Sequence, residues 1–151
     1  MSLYRKLLHL QETGTPIRVG MIGAGKFGSM FLAQVRKLPG VQIVGIADLS
    51  IERARSNLEF IGWPADALNA RSAEDAAKTG GIFLTEDALA LAASPFIDVM
   101  IESTGDPIAA VNHIVSSFDH GKDVVNVTVE ADSYCGAGLA RRARDAGVLY
   151  S

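Results

Sequence analysis

Cysteine is almost absent from the sequence, since Cys135 is the only one among 151 residues. One cysteine cannot form a disulfide within the chain, so we expect no disulfide framework and a reducing compartment, the cytoplasm. Because Cys135 has no partner cysteine and no nucleophile motif, we expect it to be a small buried residue. Long hydrophobic runs are also missing, because no segment approaches the roughly 20 apolar residues that cross a bilayer. The sequence therefore predicts no membrane partner.

An excess of positive charge is missing as well. Lysine and arginine number 14 against 17 aspartates and glutamates, which gives a formal net charge of -3. A chain of this charge has no basic field to hold a nucleic-acid backbone, so we expect a small-molecule ligand. The three histidines, His9, His113 and His120, lack metal-ligand spacing, and we expect all three to face solvent and no metal site.

What the sequence does contain is an alternation of strand and helix patterns along one domain, residues 1–151, that opens with a helix over residues 1–13. Apolar runs typical of buried strands cover residues 17–22, 41–47, 82–84, 97–101, 124–129 and 148–150. One intervening helix is clearly delimited, with Asp106 as cap, Pro107 as first residue and a predicted buried stripe of Ile108, Val111, Val115 and Phe118. We therefore predict an α/β Rossmann fold, a doubly wound parallel sheet of about six strands in the order 3-2-1-4-5-6 with helices on both faces.

A glycine motif follows the first predicted strand and opens the first crossover helix. The motif is GxGxxG, formed by Gly23, Ala24, Gly25, Lys26, Phe27 and Gly28. The first glycine permits a tight turn, the second lets a pyrophosphate approach the backbone, and the third lets the helix pack closely on the strand. The helix N-terminus adds free N–H groups and a positive dipole end. This pattern predicts dinucleotide binding.

An acidic residue, Asp48, ends the second predicted strand twenty residues after Gly28, where the adenosine ribose is expected. A carboxylate that accepts the ribose hydroxyls repels a 2′-phosphate, so we expect NAD(P) with a preference for NAD(H). Two alternatives stay open. Asp48 could cap the helix that begins near Ile51, and Arg53 or Arg55 could bind a phosphate.

Small and polar residues close the fourth and fifth predicted strands. Ser103, Thr104 and Gly105 follow the fourth strand, and we expect them beside the nicotinamide side of the cofactor, although an ordinary turn before Asp106 explains them too. Along the fifth strand Asn126, Thr128 and Glu130 are predicted to share a face. Glu130 would meet the nicotinamide or a substrate, or cap the next helix.

The chain resembles the N-terminal cofactor domain of the homoserine-dehydrogenase-like oxidoreductases in four segments, IRVGMIGAGKFG, SPFIDVMIESTG, GKDVVNVTVEAD and GLARRARDAGVLYS. The most similar branch includes reductoisomerase-like proteins that act on deoxyxylulose phosphate. The resemblance implies hydride transfer between NAD(P) and a CH–OH group of a small metabolite, and a substrate domain beyond residue 151. It leaves room for a homo-oligomer. Homoserine dehydrogenases carry an Asn-Lys pair after the fifth strand, whereas this chain has Thr128 and Val129, and no catalytic residue is assigned.

Two other functions compete with a dehydrogenase. A domain of this size is natural for a regulatory module that senses a dinucleotide without catalysis. A methyltransferase could use the glycine loop for adenosylmethionine, although the six-strand pattern and the turn at residues 103–105 disfavour it. Comparative binding of NADH, NADPH and adenosylmethionine separates these functions.

Overall fold

A parallel sheet organises the chain in the computed structural model, which describes residues 2–151. Its strands are β1 (Ile17–Ile22), β2 (Val41–Ala47), β3 (Phe83–Thr85), β4 (Val99–Glu102) and β5 (Asp123–Asn126), in the order 3-2-1-4-5. The helices are α1 (Leu3–Glu12), α2 (Lys26–Val35), α3 (Ile51–Phe60), α4 (Ala73–Thr79), α5 (Ala88–Ala93), α6 (Pro107–Asp119) and α7 (Val129–Ala146), with a 3-10 turn at Ala65–Leu68. The predicted Rossmann fold is confirmed.

Helices cover both faces of this sheet because the central strands are apolar on both sides. Successive residues of β1 point to opposite faces, so Met21 and Ile22 enter two separate hydrophobic cores. Met21 packs in the core that contains Leu32 of α2 and Leu58 of α3. Ile22 packs in the other core, with Ile114 of α6. Because all the strands are parallel, their carboxyl ends meet at one edge of the sheet. Ligands bind at this edge in an open α/β fold.

The sheet has five strands rather than the predicted six. At residues 148–150 the chain makes only an isolated bridge between Tyr150 and Val124. The N–H of Asn126 donates to the carbonyl of Ser151 at 2.7 Å, so the pairing continues for just this short stretch. The order of the first five strands agrees with the prediction.

The fifth strand also ends earlier than predicted. The N–H of Val127 still donates to the carbonyl of Glu102 at 2.8 Å, but the backbone of Thr128 beyond it is bound by a side chain. The Oδ1 of Asn126 accepts the N–H of Thr128 at 3.0 Å, while its Nδ2 donates to the carbonyl of Thr128 at 3.1 Å. Such local bonds compete with a sheet ladder. The chain therefore leaves the sheet at Asn126 and enters α7 at Val129.

The buried stripe of α6 differs from the predicted one by a rotation of the helix. Ala110, Ile114 and Phe118 face the core, whereas Ile108 is exposed and Val111 is only half-buried. Asp106 caps this helix as predicted, accepting the N–H of Ile108 at 3.0 Å. The small Ala110, at the first turn over the sheet, is fully buried and allows the helix to lie close to the strands.

The predicted N-terminal helix is present as α1, and Met1, the first residue of the predicted range, lies outside the described residues. Ser2 caps α1 through Arg5, and Gln11 near its end accepts the N–H of Gly40 at 3.2 Å. Cys135 on α7 is exposed, so the prediction that it is buried is wrong. None of the helices in residues 2–151 combines the length and apolar character that crossing a membrane requires.

Candidate functional site

The glycine loop joins β1 to α2 at the carboxyl edge of the sheet. Gly23 has a φ of +96°, and a Cβ there would lie 2.7 Å from the carbonyl oxygen of Ser103. A Cβ on Gly28 would lie 2.6 Å from the carbonyl oxygen of Gly23. Both contacts are too close for any side chain, so these two glycines are required by the turn and by helix packing, as the motif predicts.

Gly25 differs from the other two glycines because its side of the loop is open. Its φ is -74°, which every L-residue adopts, and a Cβ there would meet no heavy atom within 4 Å. No side chain caps α2, which begins at the next residue, Lys26. The first N–H groups of a helix have no intrahelical acceptor, so they are available to an anion in front of Gly25. A cradle that a Cβ would fill, with free N–H donors behind it, fits a pyrophosphate.

Asp48 connects the end of β2 to the glycine loop. Its Oδ2 accepts the N–H of Ala24 at 2.9 Å, and its Oδ1 accepts the N–H of Ser50 at 3.2 Å. Oδ1 also forms an ion pair with Arg53, whose side chain is 58% exposed, whereas that of Asp48 is 5% exposed. The helix cap of α3 is Ser50, which accepts the N–H of Arg53 at 3.2 Å, so Asp48 does not cap that helix itself.

These contacts set the charge of Asp48. Burial by itself raises the pKa of the Asp48 carboxyl. The donors from Ala24, Arg53 and Ser50 outweigh burial, so the pKa lies below its ordinary value. Asp48 is therefore a carboxylate at neutral pH and holds the loop in place.

The peptide of Ala24 is fixed at its carbonyl as well as at its N–H. The Nδ2 of Asn57, on α3, donates to the carbonyl oxygen of Ala24 at 3.1 Å. The hydroxyl of Ser29, on α2, donates to the same oxygen at 3.4 Å. Asp48 after β2 binds the N–H of Ala24, and residues of α2 and α3 bind its carbonyl. Both peptide groups of Ala24 are therefore held in one orientation. Lys26 and Phe27, the remaining motif residues, are exposed beside it.

The predicted nicotinamide-side residues lie at the end of β4, next to the glycine loop. The hydroxyl of Ser103 donates to the carbonyl of Gly23 at 2.9 Å and thus joins the two loops. Gly105 has a φ of +74°, and its N–H donates to Oγ1 of Thr128 at 3.1 Å. The turn at residues 103–105 and the entry to α7 are therefore neighbours at this edge of the sheet.

Glu130 does not lie on a strand as predicted. It is the second residue of α7 and is exposed, because the chain turned away from the sheet at Asn126. Thr128, which was expected to share a strand face with it, is buried at the start of the helix. The structure places Thr128, and not Glu130, beside the turn at residues 103–105.

Glu102, at the end of β4, is a buried carboxyl that joins several residues of the site. Its side chain is 2% exposed. Its Oε1 accepts the hydroxyl of Thr104 at 2.7 Å and the N–H of Thr104 at 3.3 Å. Its Oε2 accepts the hydroxyl of Thr128. Since Thr128 receives the N–H of Gly105, its hydroxyl proton is free for Glu102. The carboxyl thus ties the turn after β4 to the start of α7.

His113 is the fourth contact of Glu102, and the prediction that it faces solvent is wrong. Its Nδ1 lies 3.3 Å from Oε1 of Glu102, and its side chain is 16% exposed. The rotation of α6 explains the difference, since the face that carries Ala110 and Ile114 turns His113 inward as well. His9 and His120 are exposed as predicted.

A cavity of about 290 Å³ joins these features at the carboxyl edge. It extends from the end of β2 past the glycine loop to the first turns of α5 and α6. Its polar and charged lining comprises Asp48, Arg53, Glu86, Ser103, Thr104, Asp106 and His113. Its apolar lining includes Ile22, Ala47, Ala88 and Ala109. A mostly apolar cleft with a few polar groups suits an organic ligand. Within residues 2–151 no three side chains are grouped to hold a metal ion.

Sequence reasoning missed Glu102 and His113. A signal for Glu102 was present, because it is the only charged residue at the end of the apolar run that forms β4 and it lies two residues from Met100, on the same strand face. His113 lies four residues after Ala109, one helical turn away, and both line the cavity. That relation appears only once the rotation of α6 is known.

Comparison with known proteins agrees with the geometry. A family model for oxidoreductases with an NAD-binding Rossmann fold, GFO/IDH/MocA, matches residues 17–131. No curated protein matches the chain at the sequence level.

Solved structures share the fold. A homoserine dehydrogenase from Thiobacillus denitrificans superposes with a TM-score of 0.70 at 20% identity, covering 90% of this chain and 29% of its own. A biliverdin reductase from Synechocystis, in complex with biliverdin and NADP+, gives a TM-score of 0.61 at 24% identity, covering 90% of this chain and 37% of its own. A myo-inositol dehydrogenase from Lactobacillus casei, in complex with NAD(H) and myo-inositol, gives 0.54 at 18%, covering 74% and 28%.

This chain matches only a part of each of these three structures. The chain spans between 28% and 37% of the length of those three chains. The homoserine dehydrogenase neighbours agree with the predicted resemblance, while the branch that acts on deoxyxylulose phosphate stays a prediction. By its family match and its glycine loop, the chain belongs to the GFO/IDH/MocA oxidoreductase family as an NAD-binding Rossmann domain.

Proposed function

We propose that this domain binds NAD(H) for an oxidoreductase that transfers a hydride between the nicotinamide and a CH–OH group of a small metabolite. The observation that carries the proposal is the open cradle at Gly25. The loop is fully formed, and of the three glycines of the motif only Gly25 would have a Cβ with no protein atom within 4 Å, which is the position that a pyrophosphate needs. The uncapped N-terminus of α2 supplies the donors.

The charges around the cavity favour NAD(H) over NADP(H). Asp48, Glu86 and Asp106 contribute three carboxylates to the lining, against one guanidinium from Arg53. Arg53 is already paired with Asp48. A 2′-phosphate adds close to two negative charges, which this lining repels. A neutral ribose hydroxyl has no such penalty.

Asp48 retains the capacity to bind a ribose hydroxyl. A carboxylate has about four acceptor positions. Ala24, Ser50 and Arg53 use three of them, two on Oδ1 and one on Oδ2. One acceptor position on Oδ2 remains for a single hydroxyl. This supports the proposed role of Asp48 while limiting it to one hydrogen bond.

The nicotinamide supplies the hydride when the cofactor is bound, and the residues of this chain bind and orient it. The N–H groups at the start of α2 hold the pyrophosphate, and Asp48 holds the ribose. The turn at residues 103–105 borders the nicotinamide half, and the buried Glu102 fixes that turn through Thr104. No residue of this domain is assigned as the catalytic acid or base.

A second domain would complete the site in this proposal. The much greater length of the solved structures supports it. So does the exposure of large apolar side chains near the carboxyl edge and α7, namely Ile108, Val125, Val129, Tyr134 and Leu149. Covering such residues is favourable by roughly 25 cal/mol per Å² of apolar surface.

The test is a comparison of ligands by calorimetry on the purified chain. We expect NADH to bind more tightly than NADPH, and adenosylmethionine not to bind. Asp48→Ser removes the carboxylate, so the ratio of NADH to NADPH affinity should fall. Asp119→Ser, which also removes a carboxylate paired to an arginine, Arg142, but on the surface away from the cavity, is the matched control.

Each outcome has a defined meaning. An unchanged affinity ratio in Asp48→Ser would assign Asp48 to holding the loop alone. Tighter binding of NADPH than NADH by the parent chain would reverse the cofactor preference and assign the 2′-phosphate to Arg53. Binding of adenosylmethionine without binding of either dinucleotide contradicts the proposed function.

A further inference from the structure

His113 forms part of the cavity wall without belonging to the glycine motif or to the turn after β4. It lies one helical turn beyond Ala109 on α6, and both residues line the cavity. Its side chain is 16% exposed, so only a small part of the ring is accessible. A histidine placed in the wall of a binding cavity presents a polar atom to whatever occupies it.

Glu102 determines which ring nitrogen carries the proton. Nδ1 of His113 lies 3.3 Å from Oε1 of Glu102. That carboxyl receives the N–H of Thr104 and the hydroxyls of Thr104 and Thr128, so it acts as an acceptor towards every neighbour. An acceptor opposite Nδ1 requires the hydrogen to be on Nδ1. In the neutral ring Nε2 is then a bare acceptor.

That acceptor is accessible. Nε2 of His113 has no hydrogen-bond partner among residues 2–151, since the ring's one contact is through Nδ1. Every fully buried side-chain nitrogen or oxygen in the same residues does have a partner. Nε2 is therefore not fully buried, and the cavity is the described surface that His113 lines.

The position of this acceptor indicates which part of the cofactor it meets. In the proposed function Asp48 holds the adenosine ribose, and the present inference rests on that assignment. The cavity continues from Asp48 between Ala47, Ala88 and Ala109, small apolar residues that leave room for a flat ring. In this inference the base attached to the ribose occupies the part of the cavity lined by Ala88, Ala109 and His113, and the nicotinamide half lies on the other side of the turn at residues 103–105, towards the start of α7. Adenine carries one exocyclic donor, its 6-amino group.

We propose that Nε2 of His113 accepts a hydrogen bond from the 6-amino group of the cofactor's adenine, and that Glu102 positions the ring for it. The domain then selects a 6-aminopurine dinucleotide over a 6-oxopurine one. With a 6-oxo group two acceptors face each other, and a buried acceptor without a donor is strongly unfavourable. Glu86 and the Oδ2 of Asp106 are the competing acceptors on the cavity wall, since the cap of α6 uses only Oδ1 of Asp106.

The experiment compares NADH with reduced nicotinamide hypoxanthine dinucleotide, in which a 6-oxo group replaces the amino group. Affinities are measured by calorimetry on the parent chain and on matched variants. His113→Asn keeps an amide nitrogen near the position of Nδ1 for Glu102 but has no atom at the position of Nε2. His113→Gln restores an amide oxygen near the position of Nε2. Glu86→Ala removes the first competing acceptor, and Asp106→Asn keeps Oδ1 for the cap of α6 while replacing the other oxygen by a donor.

We expect the parent chain to bind NADH at least 10-fold more tightly than the hypoxanthine analogue. In His113→Asn this preference should fall to within about 2-fold, chiefly through weaker NADH binding, and His113→Gln should recover part of it. Circular dichroism checks that each variant is folded. In the parent chain, ¹⁵N correlation spectra of the His113 ring should show the hydrogen on Nδ1 and a shift of Nε2 on adding NADH.

The outcomes separate this inference from the proposed function. Absence of NADH binding by the parent chain contradicts the proposed function itself. NADH binding with the same preference in His113→Asn as in the parent overturns the role of His113. Loss of the preference in Glu86→Ala or in Asp106→Asn, with the preference kept in His113→Asn, assigns adenine recognition to that carboxylate and overturns the inference equally.

Discussion

Gly25→Val separates binding from folding more sharply than any other change at the site. The backbone of Gly25 has a φ of -74° and open space around a Cβ, so the Cβ of valine is accommodated without a clash. The cost to folding is limited to replacing glycine by valine at a helix N-cap, about 0.5–1 kcal/mol. The same side chain fills the space in which the pyrophosphate would lie.

The loss of binding can be estimated from the donors that become inaccessible. A hydrogen bond to a charged group contributes about 1.5–3 kcal/mol. Losing two N–H bonds at the start of α2 therefore costs about 3–6 kcal/mol, which is at least about 100-fold in affinity. Calorimetry with NADH measures the affinity, and thermal unfolding measures the stability.

Gly138→Val is the control for this experiment. Gly138 also has open space around its Cβ, but it lies in α7, outside the residues that line the cavity. We expect this variant to bind NADH like the parent. If Gly25→Val were folded and bound NADH within about threefold of the parent, the pyrophosphate would not lie at this loop.

Three further predictions concern packing, pH and turnover. Gly28→Ala should lower the free energy of unfolding by about 1–3 kcal/mol, because its Cβ would lie 2.6 Å from the carbonyl oxygen of Gly23; an unchanged denaturant midpoint would contradict the observed packing. Burial and the neighbouring Asp132 raise the pKa of Tyr150 to about 12, so the folded state retains a proton that the unfolded chain loses near pH 10. The free energy of unfolding should therefore fall as the pH rises between these values. Tyr150→Phe should remove this part of the pH dependence. The 151-residue chain should bind NADH without oxidising it in the presence of aspartate semialdehyde or deoxyxylulose phosphate, because no described residue holds a substrate against the nicotinamide; steady enzyme-dependent loss of NADH absorbance would refute this.

The glycine loop and Asp48 could be predicted from sequence because their meaning depends on short-range pattern. The motif spans six residues, and Asp48 follows it at the spacing of one crossover helix and one strand. The strand order of the sheet followed from the alternation of strands and helices. Each of these depends on chain connectivity alone.

Glu102 and His113 could not be predicted in the same way, because their roles depend on contacts between elements. Glu102 meets Thr128, 26 residues later, only through the register of β4 against β5. His113 faces inward because of the rotation of α6, and several rotations satisfied the apolar pattern of that helix. Likewise β5 ends at Asn126 through a side-chain hydrogen bond that no apolar pattern records.

The pairing of β1 with β4 has a consequence for how the site forms as the chain folds. Gly23 contacts Ser103 across 80 residues of sequence. The pairs β1–β2 and β2–β3, in contrast, join strands that are nearer to each other in the sequence. Closing a loop of that length has an entropic cost that precedes any gain from the contact, and non-local contacts of this kind slow folding. Assembly of the cavity must therefore await the docking of β4 beside β1. Until then the chain carries its complete GxGxxG motif and has no site, so local opening of β4 and β5 abolishes binding while the motif stays intact.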